Sequence, residues 1–229
     1  MKIILKSFLY SLYFIKISWK NYFPVFLYLL LSQFTVMYTQ NIYLVILFFA
    51  GYLIVSSPIA INIFRNIIMS VDLRNSYSDF FLDIYTKVFI NRIFYLLFSI
   101  IGIYILHIII LSPFFPSDVS KITPYLYILF AYMIYIYTRI MFILPGAACG
   151  LKKNLKDSYL LTKGNSVKIY LMYFFLIVPY VFLNMIISNY ASLGEFKEIF
   201  ILLLIIIQIF FTIVSTSLVG YIYKSIGAE

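Results

Sequence analysis

The sequence predicts an all-α polytopic membrane protein: six transmembrane helices arranged as three hairpins, with interfacial amphipathic helices. Three observations predict it. Six stretches are apolar over about 20 residues, the length a helix needs to cross a bilayer. The 229 residues are 64% hydrophobic and only 11% charged, whereas a soluble domain carries about 25% charged residues. Fifteen of the seventeen Lys and Arg residues fall on one side of the hydropathy map. Backbone groups in lipid must be paired within a helix or a closed barrel. Barrel strands are about ten residues long and alternate polar with apolar, whereas these stretches are continuously apolar and roughly twice that length. The whole chain, 1–229, reads as one membrane domain, with 1–20 as a basic arm and 22–222 as the six-span bundle.

Residues 1–20 resemble a signal peptide in outline. Lys6 and Lys16 interrupt the apolar core, however, and no small-residue cleavage site follows. Ile3, Ile4, Phe8, Leu9, Leu12, Phe14 and Ile15 alternate with Lys and Ser at helical spacing, the pattern of a basic helix lying along the membrane surface. Trp19 beside Lys20 suits an interfacial anchor. The spans follow at about 22–38, 42–61, 90–111, 124–144, 167–188 and 200–222.

The connections sort by charge. The arm, the second-to-third connection, the fourth-to-fifth connection and the C-terminus hold fifteen basic residues. The other three connections hold only Lys121 and Lys197. The positive-inside rule then places both termini in the cytoplasm. Outer connections are short and carry Pro113, Pro116 and Gly194, which are turn residues. Inner connections are longer and amphipathic. One mixes Ile68, Val71, Phe80, Phe81 and Ile84 with Asp72, Arg74, Asp79 and Asp83. The other mixes Leu151, Leu155, Tyr159 and Leu160 with Lys152, Lys153, Lys156 and Asp157. Both patterns predict interfacial helices, the second over 151–161 with Gly164 as its terminator. A weak threefold repeat of hairpins, each entered through a basic, aromatic segment, is also visible.

The net charge of +9 is dispersed between apolar spans, so the partner it implies is a bilayer, with anionic lipid at its surface, and not nucleic acid. The inventory for catalysis is sparse. His107 is the only histidine and cannot build a multi-histidine zinc site. No Asp or Glu lies inside a span, which argues against an ion-driven pump, whose relays use intramembrane carboxylates. Neither a phosphate loop nor a Gly-x-Ser-x-Gly elbow occurs. These absences predict a non-enzyme with no cofactor and no metal. Cys149 is the only cysteine, so no intrachain disulfide forms, and its Gly-Ala-Ala-Cys-Gly setting reads as packing.

Arg139 is the most informative charge. It sits among apolar residues about 9 Å below Pro145 at the usual helical rise, where the fourth span is expected to end. An arginine there snorkels, packs in the bundle, binds a lipid phosphate through its fork of donors, or clamps helix ends. Lys152, Lys153 and Lys156 follow as further candidates for lipid headgroups or helix ends. Pro58 and Pro145 each free a carbonyl one turn earlier and should kink or end their helices, with Ser56 and Ser57 placed to satisfy the first. Thr212, Ser215, Thr216, Ser217 and Gly220 form a small, hydroxyl-bearing stretch that suits close helix packing in lipid, with a polar translocation path as the alternative.

The segment from Arg139 to Asn165 reads RIMFILPGAACGLKKNLKDSYLLTKGN. With the six-span layout, it resembles the membrane domain found beside some bacterial glycerophosphodiester phosphodiesterases. It is also similar to related uncharacterised six-helix inner-membrane proteins. The matching positions are Arg139, Pro145, Ser158, Thr162 and Gly164, as structural or ligand-contact candidates. The phosphodiesterases catalyse in a separate soluble barrel, and nothing in this chain corresponds to it. The resemblance therefore implies a membrane module without the enzyme. The function expected is a non-catalytic protein of the bacterial inner membrane that organises lipid or an envelope partner at its basic cytoplasmic face. A membrane-protein partner or a homo-oligomer would fit this role. The alternative is a transporter or permease subunit energised by another chain.

Overall fold

The computed structural model describes residues 2–39, 41–72, 84–111, 119–151, 153–192 and 197–227. Among them every regular element is helical. These are α1 (Lys2–Ser18), a 3-10 turn (Trp19–Tyr22), α2 (Phe23–Thr39), α3 (Ile42–Met69), α4 (Ile84–Leu111), α5 (Val119–Ile140), α6 (Ile143–Ala148), α7 (Leu155–Leu161), α8 (Ser166–Ser192) and α9 (Lys197–Gly227). Among the described residues, five segments are long and apolar enough to cross a membrane: Tyr43–Met69, Ile84–Ile110, Ala131–Ala148, Ser166–Ile187 and Glu198–Gly227. The 17-residue α2 is shorter, roughly 26 Å against a hydrocarbon core of about 30 Å. Most of the expected amphipathic connection between α3 and α4 lies outside the described residues.

Large apolar side chains cover the outside. Phe98, Phe175, Phe182, Met185 and Ile109 are all more than 60% exposed, an arrangement that suits lipid and not water. The interior holds two clusters. One gathers Phe64, Phe89, Phe142, Ile169, Leu218 and Ile222, and the other Phe14, Val25, Leu29, Ile63, Ile205 and Ile213. Helix α9 runs between them and packs on α1, α2, α3 and α8. Thr212, Ser215, Thr216 and Ser217 return their hydroxyl protons to carbonyls of their own helix. Gly220 lets α3 approach, because a Cβ there would lie 3.3 Å from Ile67 and 3.4 Å from Phe64. The buried end of this stretch, 217–220, is a packing face.

Helix α1 is built inside out. Ser7, Ser11 and Ser18 are buried, while Leu5, Leu9 and Leu12 stand exposed. Ser7 and Ser11 donate to the carbonyls of Ile3 and Ser7, at 2.8 and 2.7 Å, so neither of these two hydroxyl protons needs a partner across the interface. The small face lets α1 approach α9 closely, with Phe8 edge-on to Phe210 and Tyr10 edge-on to Tyr221.

The two prolines behave differently from each other. Helix α3 continues through Pro58 to Met69, because Ile63, Phe64 and Ile67 keep burying apolar surface beyond residue 61. Ser56 and Ser57 donate to the carbonyl of Leu53, at 3.4 and 2.6 Å. That is one residue before the Ile54 carbonyl that a proline at 58 leaves without its amide. At Pro145 the break comes one turn earlier, at the i−4 residue whose carbonyl the proline leaves without an amide: Met141 and Phe142 form a turn, and Pro145 lies in the first turn of α6. Amides in a first turn have no intrahelical acceptor, so proline costs nothing there.

The true terminator is Gly150. Leu151 N–H donates to the Gly146 carbonyl at 2.8 Å and Gly150 N–H to that of Ala147 at 3.1 Å, with Gly150 at φ +77°. These two bonds and the left-handed residue define a Schellman ending. Consequently the helix expected over 151–161 is shorter, starting only at Leu155. Asn154 caps it reciprocally: its side chain accepts from Asp157 N–H, and the Asp157 carboxylate accepts from Asn154 N–H, both at 2.9 Å. Gly164, at φ +86°, shapes the 162–165 turn beyond the helix end and does not cap α7 directly.

Candidate functional site

Two helices, α5 and α7, end against each other, and each end leaves carbonyls without intrahelical amides. Arg139, in the last turn of α5, is 6% exposed. Its Nη2 donates to the Tyr159 carbonyl, in the last turn of α7, at 3.0 Å. Thr162 Oγ1 donates to the same carbonyl at 2.9 Å. In return, Ser158 Oγ donates to the Arg139 carbonyl at 3.0 Å. The clamp is thus reciprocal, each helix satisfying an orphan carbonyl of the other. Ser158 and Thr162 lie one turn apart, and both are fully buried.

The guanidinium has further holds. Nη1 donates to the Tyr135 hydroxyl at 3.2 Å, and the guanidinium carbon lies 3.8 Å from the Tyr159 ring centroid, close enough for a cation–π contact. Its Nε–H is buried without a partner among the described residues. A cation at the negative end of α7 is favoured by the helix dipole as well as by the bond itself. Arg139 thus bonds the end of α7 to α5.

The neighbouring lysines do not join it in one cluster. Lys153 lays its stem along Gly146 and its ammonium 4.9 Å from the Tyr223 ring centroid on α9. Lys156 is exposed. Lys152 lies outside the described residues. Past α7, Lys163 and Lys168 are exposed too, and Asp157, the nearest acid in sequence, is engaged by its cap.

Further cations occupy the same end of the bundle in roles the sequence did not reveal. Lys224 Nζ donates to the Ile67 carbonyl in the last turn of α3 at 2.7 Å, repeating the Arg139 device. Lys6 sits 4.6 Å from the Tyr221 ring centroid, and Arg65 lies 5.1 Å from that of Tyr85. Tyr10 donates to Asn66 Oδ1 at 2.7 Å, and Asn66 Nδ2 donates to the Val71 carbonyl at 2.9 Å. A basic residue near a helix C-terminus was the available signal, but its partner lies many residues away in sequence.

The remaining candidates are structural. His107 Nδ1 lies 2.7 Å from the Ile103 carbonyl, and its ring packs on Tyr132. Burial pushes the Cys149 thiol up to about 11, with nearby Arg65 acting in the opposite direction, so the thiolate is scarce at neutral pH.

A cavity of about 300 Å³ opens among α3, α4, α5, α8 and α9. Helices α3 and α9 supply most of its hydroxyls, Tyr137 of α5 and Tyr173 of α8 add two more, and α4 supplies only apolar side chains such as Phe89, Ile93 and Leu96. Among the described residues no Asp, Glu, Lys, Arg or His lines it. Comparison with protein-family models, curated proteins and solved structures finds no match to this chain.

Proposed function

We propose that the chain is a non-catalytic integral protein of the bacterial inner membrane that gathers anionic lipid, or an envelope partner, at a basic cytoplasmic face. In this reading α2 serves as a short sixth span and both termini are cytoplasmic. The observation that carries it is the run of exposed lysines Lys156, Lys163 and Lys168, displayed by a segment that the Arg139–Ser158 clamp holds in place. Exposed ammonium groups beside an apolar bundle attract anionic headgroups, each contributing about 1 kcal/mol near the surface. The resemblance of 139–165 to a membrane module detached from its phosphodiesterase supports a role without chemistry. Native mass spectrometry of the full chain from phosphatidylglycerol-containing nanodiscs tests it. The variant K156Q/K163Q/K168Q should lose retained phosphatidylglycerol while keeping its fold, and unchanged retention overturns the proposal. A reporter fused at Glu229 should be cytoplasmic and one near Lys121 periplasmic.

The second reading, a transporter subunit energised by another chain, is favoured by the intramembrane cavity. In-membrane cross-linking should then trap an ATP-hydrolysing partner, and recovery of the chain alone counts against it.

A further inference from the structure

The cavity has a chemistry of its own. Tyr52, Ser56 and Ser57 of α3 and Thr212, Ser215 and Thr216 of α9 line it. Ser56 lies near the middle of α3 and Thr212 near the middle of α9, each roughly 20 Å from either helix end. The hydroxyl cluster therefore sits at mid-depth, out of reach of water and headgroups.

Tracing the protons shows what the cluster can offer. Thr212 donates to the Gln208 carbonyl at 2.8 Å, so the Tyr52 proton goes to Thr212 Oγ1. Ser215 and Thr216 both donate to the Thr212 carbonyl, at 3.0 and 2.7 Å. Ser57 donates to the Leu53 carbonyl. Each hydroxyl has a single proton and two lone pairs. With these protons committed, the α3 and α9 hydroxyls present acceptors to the cavity, apart from Ser56, whose 3.4 Å bond is long; Tyr137 and Tyr173, which also line it, hydrogen-bond to each other. An acceptor-rich pocket with no charged lining cannot hold an anion, and nothing in it balances a cation. It suits an uncharged, apolar molecule that brings its own O–H donor.

We propose that this cavity binds the hydroxyl end of a long-chain alcohol that partitions to the middle of the bilayer, and that the Tyr52–Thr212–Ser215–Thr216 cluster accepts its proton. About 300 Å³ is at the small end of ligand pockets, so it holds the head and first carbons while the tail leaves among the lipid chains. This site is independent of the lysine face proposed above.

The test uses the full chain in nanodiscs and diazirine-bearing probes: geranylgeraniol, hexadecanol, and the methyl ether of each. Wild type should be labelled by an alcohol roughly tenfold more than by its ether, the discrimination expected when one buried hydrogen bond is lost. An isoprenoid source shows as preference for geranylgeraniol, and a straight-chain source as preference for hexadecanol. The near-isosteric variant T212V/T216V should label alcohol and ether equally. Ala60 lines the cavity, and A60F should abolish both while helicity and melting stay near wild type. Equal labelling of wild type by alcohol and ether overturns the proposal, as does a preference that survives T212V/T216V. K156Q/K163Q/K168Q should leave cavity labelling intact, which separates failure here from failure of the lysine-face reading.

Discussion

Cutting the reciprocal tie between α5 and α7 from both sides distinguishes a clamp from two unrelated contacts. Ser158→Ala removes the 3.0 Å bond to the Arg139 carbonyl and leaves that carbonyl buried and unmet, a cost of about 1–3 kcal/mol. Arg139→Leu removes two bonds from a charged donor, about 1.5–3 kcal/mol each, and a ring contact of about 0.5–2 kcal/mol. Leucine also relieves the desolvation of a buried guanidinium, which costs several kcal/mol. The net loss for Arg139→Leu is therefore smaller than the bonds suggest, about 1–2 kcal/mol. The double variant should lose about 1 kcal/mol less than the sum of the singles, because cutting either tie lets both helix ends relax. Reversible unfolding in bicelles, followed by circular dichroism across the four proteins, gives the coupling. Additivity to within about 0.3 kcal/mol would refute the reciprocal clamp and leave two independent bonds.

Three other outcomes follow from single features. Gly150 and Gly164 both have positive φ, but a Cβ at 150 would lie 2.7 Å from the Tyr85 ring whereas 164 has open space. Gly164→Ala should cost about 1 kcal/mol and Gly150→Ala clearly more, with Tyr85→Ala rescuing part of the difference; equal costs in thermal melts contradict this. Lys224→Met leaves the Ile67 carbonyl without its cation and should destabilise the bundle by about 1–2 kcal/mol, whereas Lys156→Met should change stability little; a reversed order in the same bicelle assay rejects the capping role. Because the Cys149 thiol is pushed up to about 11, it is neutral below that pH and its thiolate fraction grows about tenfold per pH unit through the range 7–10. Maleimide labelling of the folded protein should be slow at pH 7 and accelerate accordingly, and fast, pH-independent labelling disagrees.

Periodicity and hydropathy made the long helices legible, since lipid demands a continuous apolar run. They failed where local geometry decided the ending. Helix α3 outran its expected limit because Ile63, Phe64 and Ile67 stay buried past the last purely apolar residue. Pro145 was a signal for the break at Met141 and Phe142, which falls one turn before it. The cap of α7 was legible in principle: Asn154 and Asp157 stand three apart, the spacing of a capping box, and Gly150 stands where a helix terminator belongs. The clamp was half legible. Arg139, Ser158 and Thr162 could be singled out by type and position. That Arg139 meets the carbonyl of Tyr159 depends on α7 folding back over the end of α5, which no local pattern encodes. The intramembrane cavity lay beyond the sequence altogether, since it exists only between helices.

The serine face of α1 also bears on how the molecule is made. Helix α1 emerges before any other described helix, yet the surface it fits belongs to α9, which emerges after all of them. At about 5–20 residues per second, roughly 10–40 seconds separate the two. During that interval α1 has its leucines to offer the bilayer and nothing to cover its serines. Their hydroxyl protons are already returned to Ile3 and Ser7, so the waiting helix exposes no unmet donor at those two positions. Docking of α1 on α9 then couples the earliest described helix to the last one made, and a chain stalled before α9 remains an open bundle with that face uncovered.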